Sequence, residues 1–415
     1  MRISSSYFFQ TGLNAINAQQ SDLLHLYRQA ASGQRMVTPA DDPLGAAQAV
    51  NLSQSQSLNA RYGANREVLK MNLGNEENTL NSVTTLLQDI KTRLVEAGNG
   101  TMSDADRATL AGVLRNSKET LFGLANATEG NGQYMFAGYT SSQAAFGKDA
   151  NGVVSYDGDV GQSRIQADQT RLIDSGDLGS DVFMRAASGS RAYLTQAADA
   201  NVGTAVIGSP AITNPTGAHV GQPYTITFSV TGATTEYTIN TFNADGTPQT
   251  YGPKPYDANT TSLQLDGGVQ VSFSGQPADG DSFTVLPATS ASSNMSVFET
   301  LDAMIAALET PTAGDAIAQT KLANTLASAM QKIDANYDQV LTVRASVGSR
   351  LNEIDAIDAN GASRNLSYAN QLSKLEDVDY YTVTTQLELR RSALEAAALA
   401  FKKIQGTSLF NMGSN

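Results

Sequence analysis

The stretch LKMNLGNEENTLNSVTTLLQDIKTRLVEA, residues 69–97, carries apolar side chains at alternating steps of four and three residues. The seam comprises Leu69, Leu73, Glu76, Leu80, Val83, Leu87, Ile90, Leu94 and Ala97, with a single charged interruption. Such heptad spacing places all of these residues on one stripe of an α-helix. The stretch therefore predicts a long helix whose apolar stripe packs against other helices.

The same spacing returns in two later segments. After the break at residues 98–107, Ser103 followed three residues later by Asp106 resembles a capping box that begins a second helix. The second seam comprises Leu110, Leu114, Ser117, Leu121, Leu124 and Thr128, and the third comprises Ile333, Tyr337, Val340, Arg344, Val347, Leu351 and Ile354. Helical segments therefore flank a different kind of structure.

Both ends of the chain carry weaker amphipathic patterns, interrupted by the polar residues Gln20 and Arg390. Helices of this kind are marginal alone, because most helical stability comes from tertiary packing. We therefore expect the two ends to pair with each other and to gain order by packing against neighbouring subunits. The predicted assembly interface comprises Leu13, Ile16, Leu23, Tyr27, Tyr380, Val383, Leu387, Leu394, Ala397, Phe401 and Ile404.

Residues 141–292 differ in composition, since Gly, Thr, Ser, Asn and Pro are frequent there and helical spacing is lost. Apolar residues alternate with polar ones at Tyr224, Ile226, Phe228 and Val230, at Val269, Val271 and Phe273, and at Phe283 and Val285. Period-two alternation between turns such as Asp245-Gly246 is typical of half-buried strands. The segment therefore predicts a small antiparallel sandwich or barrel.

These patterns together predict a multidomain α + β protein. Both chain ends form a long α-helical coiled coil or bundle, and an all-β, antiparallel sandwich or barrel-like insertion lies between them. The predicted domains are terminal helical assembly arms (1–45 with 376–415), a helical bundle (46–140 with 293–375) and a β-rich outer domain (141–292).

Composition excludes several classes of function. The 415 residues carry a formal charge of -13, from 40 acidic and 27 basic side chains, which disfavours nucleic acid and anionic membranes as partners. The absence of Cys excludes disulfides, thiolate nucleophiles and Cys-ligated metals. No apolar stretch is long enough for a cleavable secretory signal or a membrane span, so membrane insertion is not expected.

The glycine-rich segment 130–148 invites a nucleotide-binding interpretation but fails both phosphate motifs. Met135 stands where the third Gly of one motif is needed, and Ser142 stands where the first Gly of the P-loop is needed. A tight helix-to-sheet junction, in which Gly allows close backbone approach, explains the segment better.

Other candidate groups are equally poor in catalytic signals. The acidic turns at 157–159 and 279–281 lack the ligand spacing of an EF-hand loop, so ordinary turn chemistry is favoured over calcium binding. His25 and His219 have no acidic or nucleophilic residue at the spacing of a catalytic motif, which favours packing or surface roles for both. We therefore expect no enzyme activity, no catalytic residue, no cofactor and no metal site.

The stretch SGQRMVTPADDPLGAAQAV, residues 32–50, places two adjacent aspartates between helical segments. Paired carboxylates could serve catalysis, but no basic or metal-binding complement lies near them in sequence. An aspartate before proline is a common helix start, since its side chain accepts free N–H groups of the first turn. We therefore predict that Thr38, Asp41, Asp42 and Pro43 form an interhelix bend and cap.

Several stretches together resemble the flagellin superfamily. They are MRISSSYFF at 1–9, SGQRMVTPADDPLGAAQA at 32–49, AGNGTMSDADRATLAGVL at 97–114, NGQYMFAGYTSSQAAF at 131–146, LTVRASVGSRLNEID at 341–355 and LEAAALAFKKIQGTSLFN at 394–411. The resemblance implies an inner helical part built from both termini and an outer β-rich domain. Residues 188–292 are expected to be an additional insert.

The resemblance also implies a function. The expected protein is a secreted structural subunit of the bacterial flagellum that is exported unfolded through the type III apparatus. It is expected to form a homo-oligomeric ring at the junction between hook and filament. The implied partners are hook-associated protein 1, flagellin and an export chaperone of the flagellar apparatus.

Two other functions remain open at this point. Within the same family, the chain could be a filament flagellin, although its MRIS start and SLFN end differ from the usual flagellin ends. In a different class, the β insert could be a surface-displayed adhesive or glycan-binding module. An enzymatic insert is the weakest alternative, because residues 188–292 contain one His and no recognisable nucleophile motif.

Overall fold

The computed structural model describes residues 5–258 and 262–406. Long helices from both ends of the chain and antiparallel strands between them confirm the predicted fold class. The helices are α1 (Ser5–Ser32), α2 (Pro43–Ala97), α3 (Asp104–Ala125), α4 (Gly179–Phe183), α5 (Val297–Glu309), α6 (Ala316–Glu376) and α7 (Tyr380–Gly406). Among these described helices, none is long and apolar enough to cross a membrane.

The strands all lie between α3 and α5. They are β1 (Phe146–Lys148), β2 (Val154–Tyr156), β3 (Arg164–Asp168), β4 (Arg171–Asp174), β5 (Tyr193–Ala197), β6 (Val206–Ile212), β7 (Tyr224–Thr231), β8 (Thr234–Phe242), β9 (Pro248–Pro255), β10 (Ser262–Leu265), β11 (Val269–Ser274) and β12 (Ser282–Pro287). The pairs β1–β2 and β3–β4 form two separate hairpins.

The chain divides into two compact units. The first unit is Met1–Ala64 with Ala356–Asn415, and the second is Asn65–Asp355. The long helices α2 and α6 each contribute to both units, so these units do not coincide with the three domains predicted above. The predicted domain boundaries stay a prediction.

The helical core of the second unit is built from the seams that the sequence shows. On α2 the seam residues Leu69, Leu73, Leu80, Val83, Leu87, Ile90 and Leu94 are all at most 2% exposed. The predicted seam residues of α3 and α6 contribute further buried side chains, namely Leu110, Leu114, Leu121, Ile333, Val340, Val347 and Ile354. Each fully buried aliphatic side chain stabilises the fold by roughly 1.5–3 kcal/mol.

The charged residues on these seams have specific partners. Glu76 on α2 is only 2% exposed, and one of its carboxylate oxygens accepts the Asp177 N–H at 3.0 Å. Arg350 on α6 forms an ion pair with the Asp177 carboxylate. Arg344, the charged residue in the α6 seam, lies 2.6 Å from the Glu77 carboxylate of α2. Polar contacts between α2, α6 and the loop after β4 therefore replace apolar packing at these seam positions.

The predicted start of α3 and the predicted glycine-rich junction are both present. The Ser103 side chain accepts the Asp106 N–H, and the Asp106 carboxylate accepts the Ser103 N–H, which confirms the capping box. In the junction, Gly138 has φ +66°, and a side chain there would lie 2.8 Å from the carbonyl oxygens of Asp159 and Gly161. Only glycine therefore permits this close approach of two backbone segments.

Strands β5 to β12 form two antiparallel sheets that share one core. The larger sheet has the order β5-β12-β7-β8-β9, and the smaller has the order β10-β11-β6. The side chains that face each other are Tyr193, Tyr224, Ile226, Phe228, Tyr237, Ile239, Phe283 and Val285 from the first sheet and Ile207, Leu263, Leu265, Val269, Val271 and Phe273 from the second. The alternation predicted from sequence is thus confirmed as a sandwich, and the described strands form no closed barrel.

Side chains of α6 bind the backbone of the segments around the sandwich. The Asn324 amide accepts the Ile207 N–H at 2.9 Å and donates to the Ala205 carbonyl at 3.0 Å. About two helical turns further along α6, the side-chain oxygen of Gln331 accepts the Thr195 N–H at 2.7 Å. The buried Asn324 amide and the half-buried Gln331 amide thus continue the strand hydrogen bonding onto a helix and attach β6 and β5 to α6.

Strand β9 forms one edge of the larger sheet. Its sequence PQTYGPKP contains Pro248, Pro253 and Pro255, none of which has a backbone N–H. Prolines are tolerated in strands chiefly at sheet edges, where a missing donor breaks no ladder. This edge therefore offers few donors to an incoming strand.

Candidate assembly surface

The first unit brings the two ends of the chain together, since α1 packs along α7. The seam contains a buried cluster of Leu26, Val378 and Val383, against which Ala30 and Leu387 pack. Towards the start of α1, the rings of Phe9 and Phe401 lie 5.0 Å apart. A side chain at Gly12 would come within 3.0 Å of the Phe401 ring, so glycine lets that ring lie against α1.

The buried face of α1 differs slightly from the predicted seam. Leu26, which was not predicted, is 8% exposed, whereas Tyr27, which was predicted as an interface residue, is 52% exposed. The sequence reasoning missed Leu26 and also Val378, which lies in the short connection between α6 and α7. Leu23, Leu26 and Ala30 follow a three-four spacing as regular as the predicted one, and only the partner residues on α7 distinguish the two registers.

Arg390, which interrupts the apolar pattern of α7, contacts polar groups of α1. Its guanidinium lies 3.2 Å from the Asp22 carboxylate and 3.3 Å from the Gln19 side-chain oxygen. Both members of the ion pair are about half exposed, so the pair adds little to stability. The contact shows that the turn of α1 that contains Gln19 and Asp22 lies beside the Arg390 turn of α7.

The structure distributes the predicted interface residues over two environments. Val383 is buried, and Ile16, Leu23, Leu387, Leu394, Ala397 and Phe401 are half-buried. Leu13, Tyr27 and Tyr380 are 44%, 52% and 56% exposed. The side chain of Ile404 lies outside the described residues. The buried and half-buried residues therefore lie between α1 and α7, and the exposed residues remain accessible to another molecule.

Further large apolar side chains are exposed on the same two helices. They are Tyr7, Phe9 and Leu24 on α1 and Tyr381, Leu389 and Leu399 on α7. Scattered apolar residues are normal on protein surfaces, but this number on two adjacent helices forms an apolar surface that favours association. We refer to the exposed apolar residues of α1 and α7 as the arm surface.

The Asp41–Asp42 stretch forms the loop between α1 and α2. Asp41 accepts the N–H groups of Val37 and Thr38 at 2.9 and 2.8 Å, which closes the loop. Asp42 immediately precedes Pro43, the first residue of α2, and accepts the Gly45 N–H at 2.9 Å. This is the geometry of an aspartate N-cap followed by proline at the first helical position.

Hydrogen bonding also explains the electrostatics of both aspartates. The Thr38 N–H lowers the pKa of Asp41, and the Gly45 N–H lowers the pKa of Asp42, with Arg35 adding to the second effect. Lowered pKa values keep both carboxylates ionised, as acceptors of N–H groups should be. They are therefore placed as structural acceptors rather than as a proton-sharing catalytic pair.

The same loop is joined to the connection between α6 and α7. The Arg35 N–H donates to the Glu376 carbonyl at 2.6 Å, and the Val378 N–H donates to the Gly33 carbonyl at 3.0 Å. The Arg35 side chain donates to the Leu375 carbonyl at 3.0 Å and also lies 3.2 Å from Asp42. Residues from both ends of the sequence therefore hold this bend together.

Two of the remaining candidates, His219 and the turn at 279–281, have structural partners. His219 is buried in the sandwich, with its ring nitrogens 3.1 Å from the Phe242 carbonyl and 2.8 Å from the Tyr251 hydroxyl. In the turn at 279–281, the Asp281 carboxylate accepts the N–H groups of Val202 and Ala278 at 2.9 Å each. Across the described ranges, no cluster of three or more acidic or His residues is placed to hold a metal ion.

Comparison with known proteins shows which class this architecture resembles. The bacterial flagellin N-terminal helical region matches residues 3–141, which include α1, the aspartate loop, α2 and α3. This match, together with the pairing of α1 and α7 and the β-rich region between α3 and α5, makes the chain similar to proteins of the flagellin superfamily.

The chain is similar in particular to flagellar hook-associated protein 3. The Salmonella typhimurium and Escherichia coli proteins of that name are each 28% identical to it over 412 residues, which cover 99% of this chain and 99% of each relative. The crystal structure of Xanthomonas campestris FlgL is 27% identical with a TM-score of 0.65, covering 78% of this chain and 99% of that one. The flagellar hook associated protein-3 structure from Legionella pneumophila is 26% identical with a TM-score of 0.67, covering 78% and 98%.

Proposed function

We propose that this chain is a structural subunit of the bacterial flagellum that joins the hook to the filament. The observation that carries the proposal is its similarity, over nearly its entire length, to proteins named flagellar hook-associated protein 3. The structure of the flagellar junction protein FlgL from Legionella pneumophila is 25% identical with a TM-score of 0.64, and it supports a place at the junction between hook and filament. Similarity of this extent favours a junction protein over filament flagellin.

The arm surface is proposed to mediate assembly. Neighbouring copies of this chain would cover its exposed apolar residues and form a ring at the junction, in contact with hook-associated protein 1 on one side and flagellin on the other. Export through the flagellar apparatus, with a chaperone, would deliver the chain to this secreted location. Burial of apolar area between helices is the driving force of such an assembly.

A deletion strain tests this function directly. Cells that lack the chain should make hooks without attached filaments and should release flagellin into the medium. Restoring the chain from a plasmid should return attached filaments and motility. Normal filaments in the deletion strain would contradict the proposal.

Purified protein distinguishes the junction protein from filament flagellin. A junction subunit should remain monomeric or form short assemblies, whereas a filament flagellin alone should polymerise into long filaments on seeding. Sedimentation and electron microscopy of the purified chain provide the measurement, and long filaments would favour the flagellin alternative.

A further inference from the structure

A cleft of about 300 Å³ lies in the second unit, where the connection between β5 and β6 meets α5 and α6. Its volume is at the lower end of the range found for small-molecule sites, about 300–1,000 Å³. The cleft exists because small residues line it, among them Ala198, Gly203, Ala303 and Ala329. Larger side chains at the three alanine positions would fill the space, whereas a side chain at Gly203 would clash with the backbone nitrogen of Ala278.

Several polar groups around the cleft are already engaged within the protein. The Asn201 side chain exchanges two hydrogen bonds of 2.9 Å with the Ser282 backbone. Asn324 is occupied by β6, as described above. The Lys321 ammonium donates to the Asp199 carbonyl at 2.7 Å. The two asparagines therefore form walls of the cleft and are not available to a ligand, and Lys321 is anchored through one of its three N–H donors.

Other polar side chains of the cleft have no hydrogen-bond partner in the protein within the described ranges. They are the Lys332 ammonium, the hydroxyls of Thr325 and Ser328 and the amide of Gln196. Lys332 is half-buried, and removal from water lowers the pKa of its ammonium, with the Glu299 carboxylate partly opposing this effect. A partly desolvated ammonium with no acceptor from the protein is stabilised by an anion that reaches it.

The other polar side chains of the cleft indicate which further groups the ligand has. The Glu299 carboxylate is held by the Asn294 amide and presents acceptor oxygens at the cleft. Together with Thr325 and Ser328, it suits a molecule rich in hydroxyl groups. No aromatic side chain lines the cleft, which disfavours a flat heteroaromatic ligand.

We propose that this cleft binds a small hydroxylated carboxylate of about the size of a single sugar acid. Lys332 forms an ion pair with the carboxylate of the ligand. Glu299 accepts hydrogen bonds from its hydroxyl groups, and Thr325 and Ser328 contact these hydroxyl groups along the α6 wall. This site is separate from the arm surface and does not depend on the function proposed above.

Isothermal titration calorimetry of the full chain with D-glucuronate tests the proposal. Saturable binding should be seen, and D-glucose, which lacks the carboxylate, should bind at least about tenfold more weakly. Lys332→Gln should weaken glucuronate binding by about tenfold or more. Lys374→Gln, the same change at an exposed position of α6 beyond the cleft, should leave it unchanged.

A second variant keeps the test decisive if Lys332→Gln perturbs the fold. Ser328→Leu fills the cleft and leaves Lys332 in place, so it should abolish glucuronate binding without lowering the thermal midpoint. Binding that survives Ser328→Leu, equal affinity for glucose and glucuronate, or no saturable binding by the folded wild-type chain would each overturn the proposal.

Discussion

Glu76 lies in a helical seam whose other members on α2 are mostly aliphatic, and it is almost completely buried. Burial and the nearby Asp177 carboxylate raise the pKa of Glu76 well above its ordinary value of 4.5, although Arg350 opposes the shift. One of its oxygens has no hydrogen-bond partner within the described residues. The protonated acid is therefore the form that the folded chain favours.

This carboxyl group predicts a pH dependence of stability. The pKa of Glu76 is higher in the folded chain than in the unfolded chain. The contribution of this group to folding stability is therefore complete below the unfolded pKa and is lost as the pH rises through the folded-state pKa. Glu76→Gln should therefore raise the thermal unfolding midpoint at alkaline pH and flatten its pH dependence. Glu67→Gln, at an exposed position of the same helix, should leave the wild-type dependence unchanged. Parallel pH dependences for wild type and Glu76→Gln would contradict the prediction.

A second prediction concerns the apolar seam itself. Leu73 on α2 is fully buried, so Leu73→Ala should lower the free energy of unfolding by about 2–5 kcal/mol, because a cavity replaces packed atoms. Val95→Ala, on an exposed face of the same helix, should change it by less than about 0.5 kcal/mol. Urea denaturation of the two variants supplies the comparison, and equal effects would show that the seam is not the core.

At the scale of elements, α6 uses polar side chains to hold other parts of the second unit. Asn324 and Gln331 bind β6 and β5, and the amides of Asn336 and Gln339 donate to the carbonyls of Met295 and Asp181 at 3.0 and 2.7 Å. Each bond satisfies a backbone group that would otherwise be left without a partner. The sandwich is therefore attached by directional bonds and not only by apolar contact.

Replacing two of these amides gives a local prediction. In the variant Asn324→Leu with Gln331→Leu, the N–H groups of Ile207 and Thr195 lose their acceptors, so their hydrogen exchange should become faster. The rest of the sandwich core should keep its protection. Asn352→Leu, at an exposed position of α6, is the matched control. Unchanged exchange at Ile207 and Thr195 in the double variant would argue against this attachment.

The elements differ in how far sequence could predict them. The seam of α2 and the alternation on β7 and β11 were sufficient to predict a helix and two strands, because apolar residues repeat there with the period of a helix or of a strand. Leu26 and the amides of α6 were not predictable in this way. The register of α1 depends on which residues α7 presents, and a polar residue on a helix carries no sign of the distant backbone group that it binds. Glu76 and Arg390 were recognised as interruptions, but their partners required the structure.

At the scale of the whole molecule, the α1–α7 helix pair that carries the arm surface is where the proposed assembly can be disrupted. Leu394 lies half-buried on α7, and a charge there should not be accommodated once neighbouring subunits pack around the helices. Leu394→Asp should therefore prevent filament attachment in cells while the second unit keeps its thermal unfolding midpoint. Leu172→Asp, at an exposed position on β4, should support normal filaments. Filaments attached through a Leu394→Asp junction would argue against assembly by these helices.

The prolines of β9 have a consequence for a protein that is proposed to work as many identical copies side by side. An exposed sheet edge normally acts as a template on which another chain can add a strand, the first step towards a cross-β fibre. Pro248, Pro253 and Pro255 remove donors from that edge. Crowded copies of the sandwich can therefore lie close together at high local concentration without this edge seeding amyloid-like aggregation.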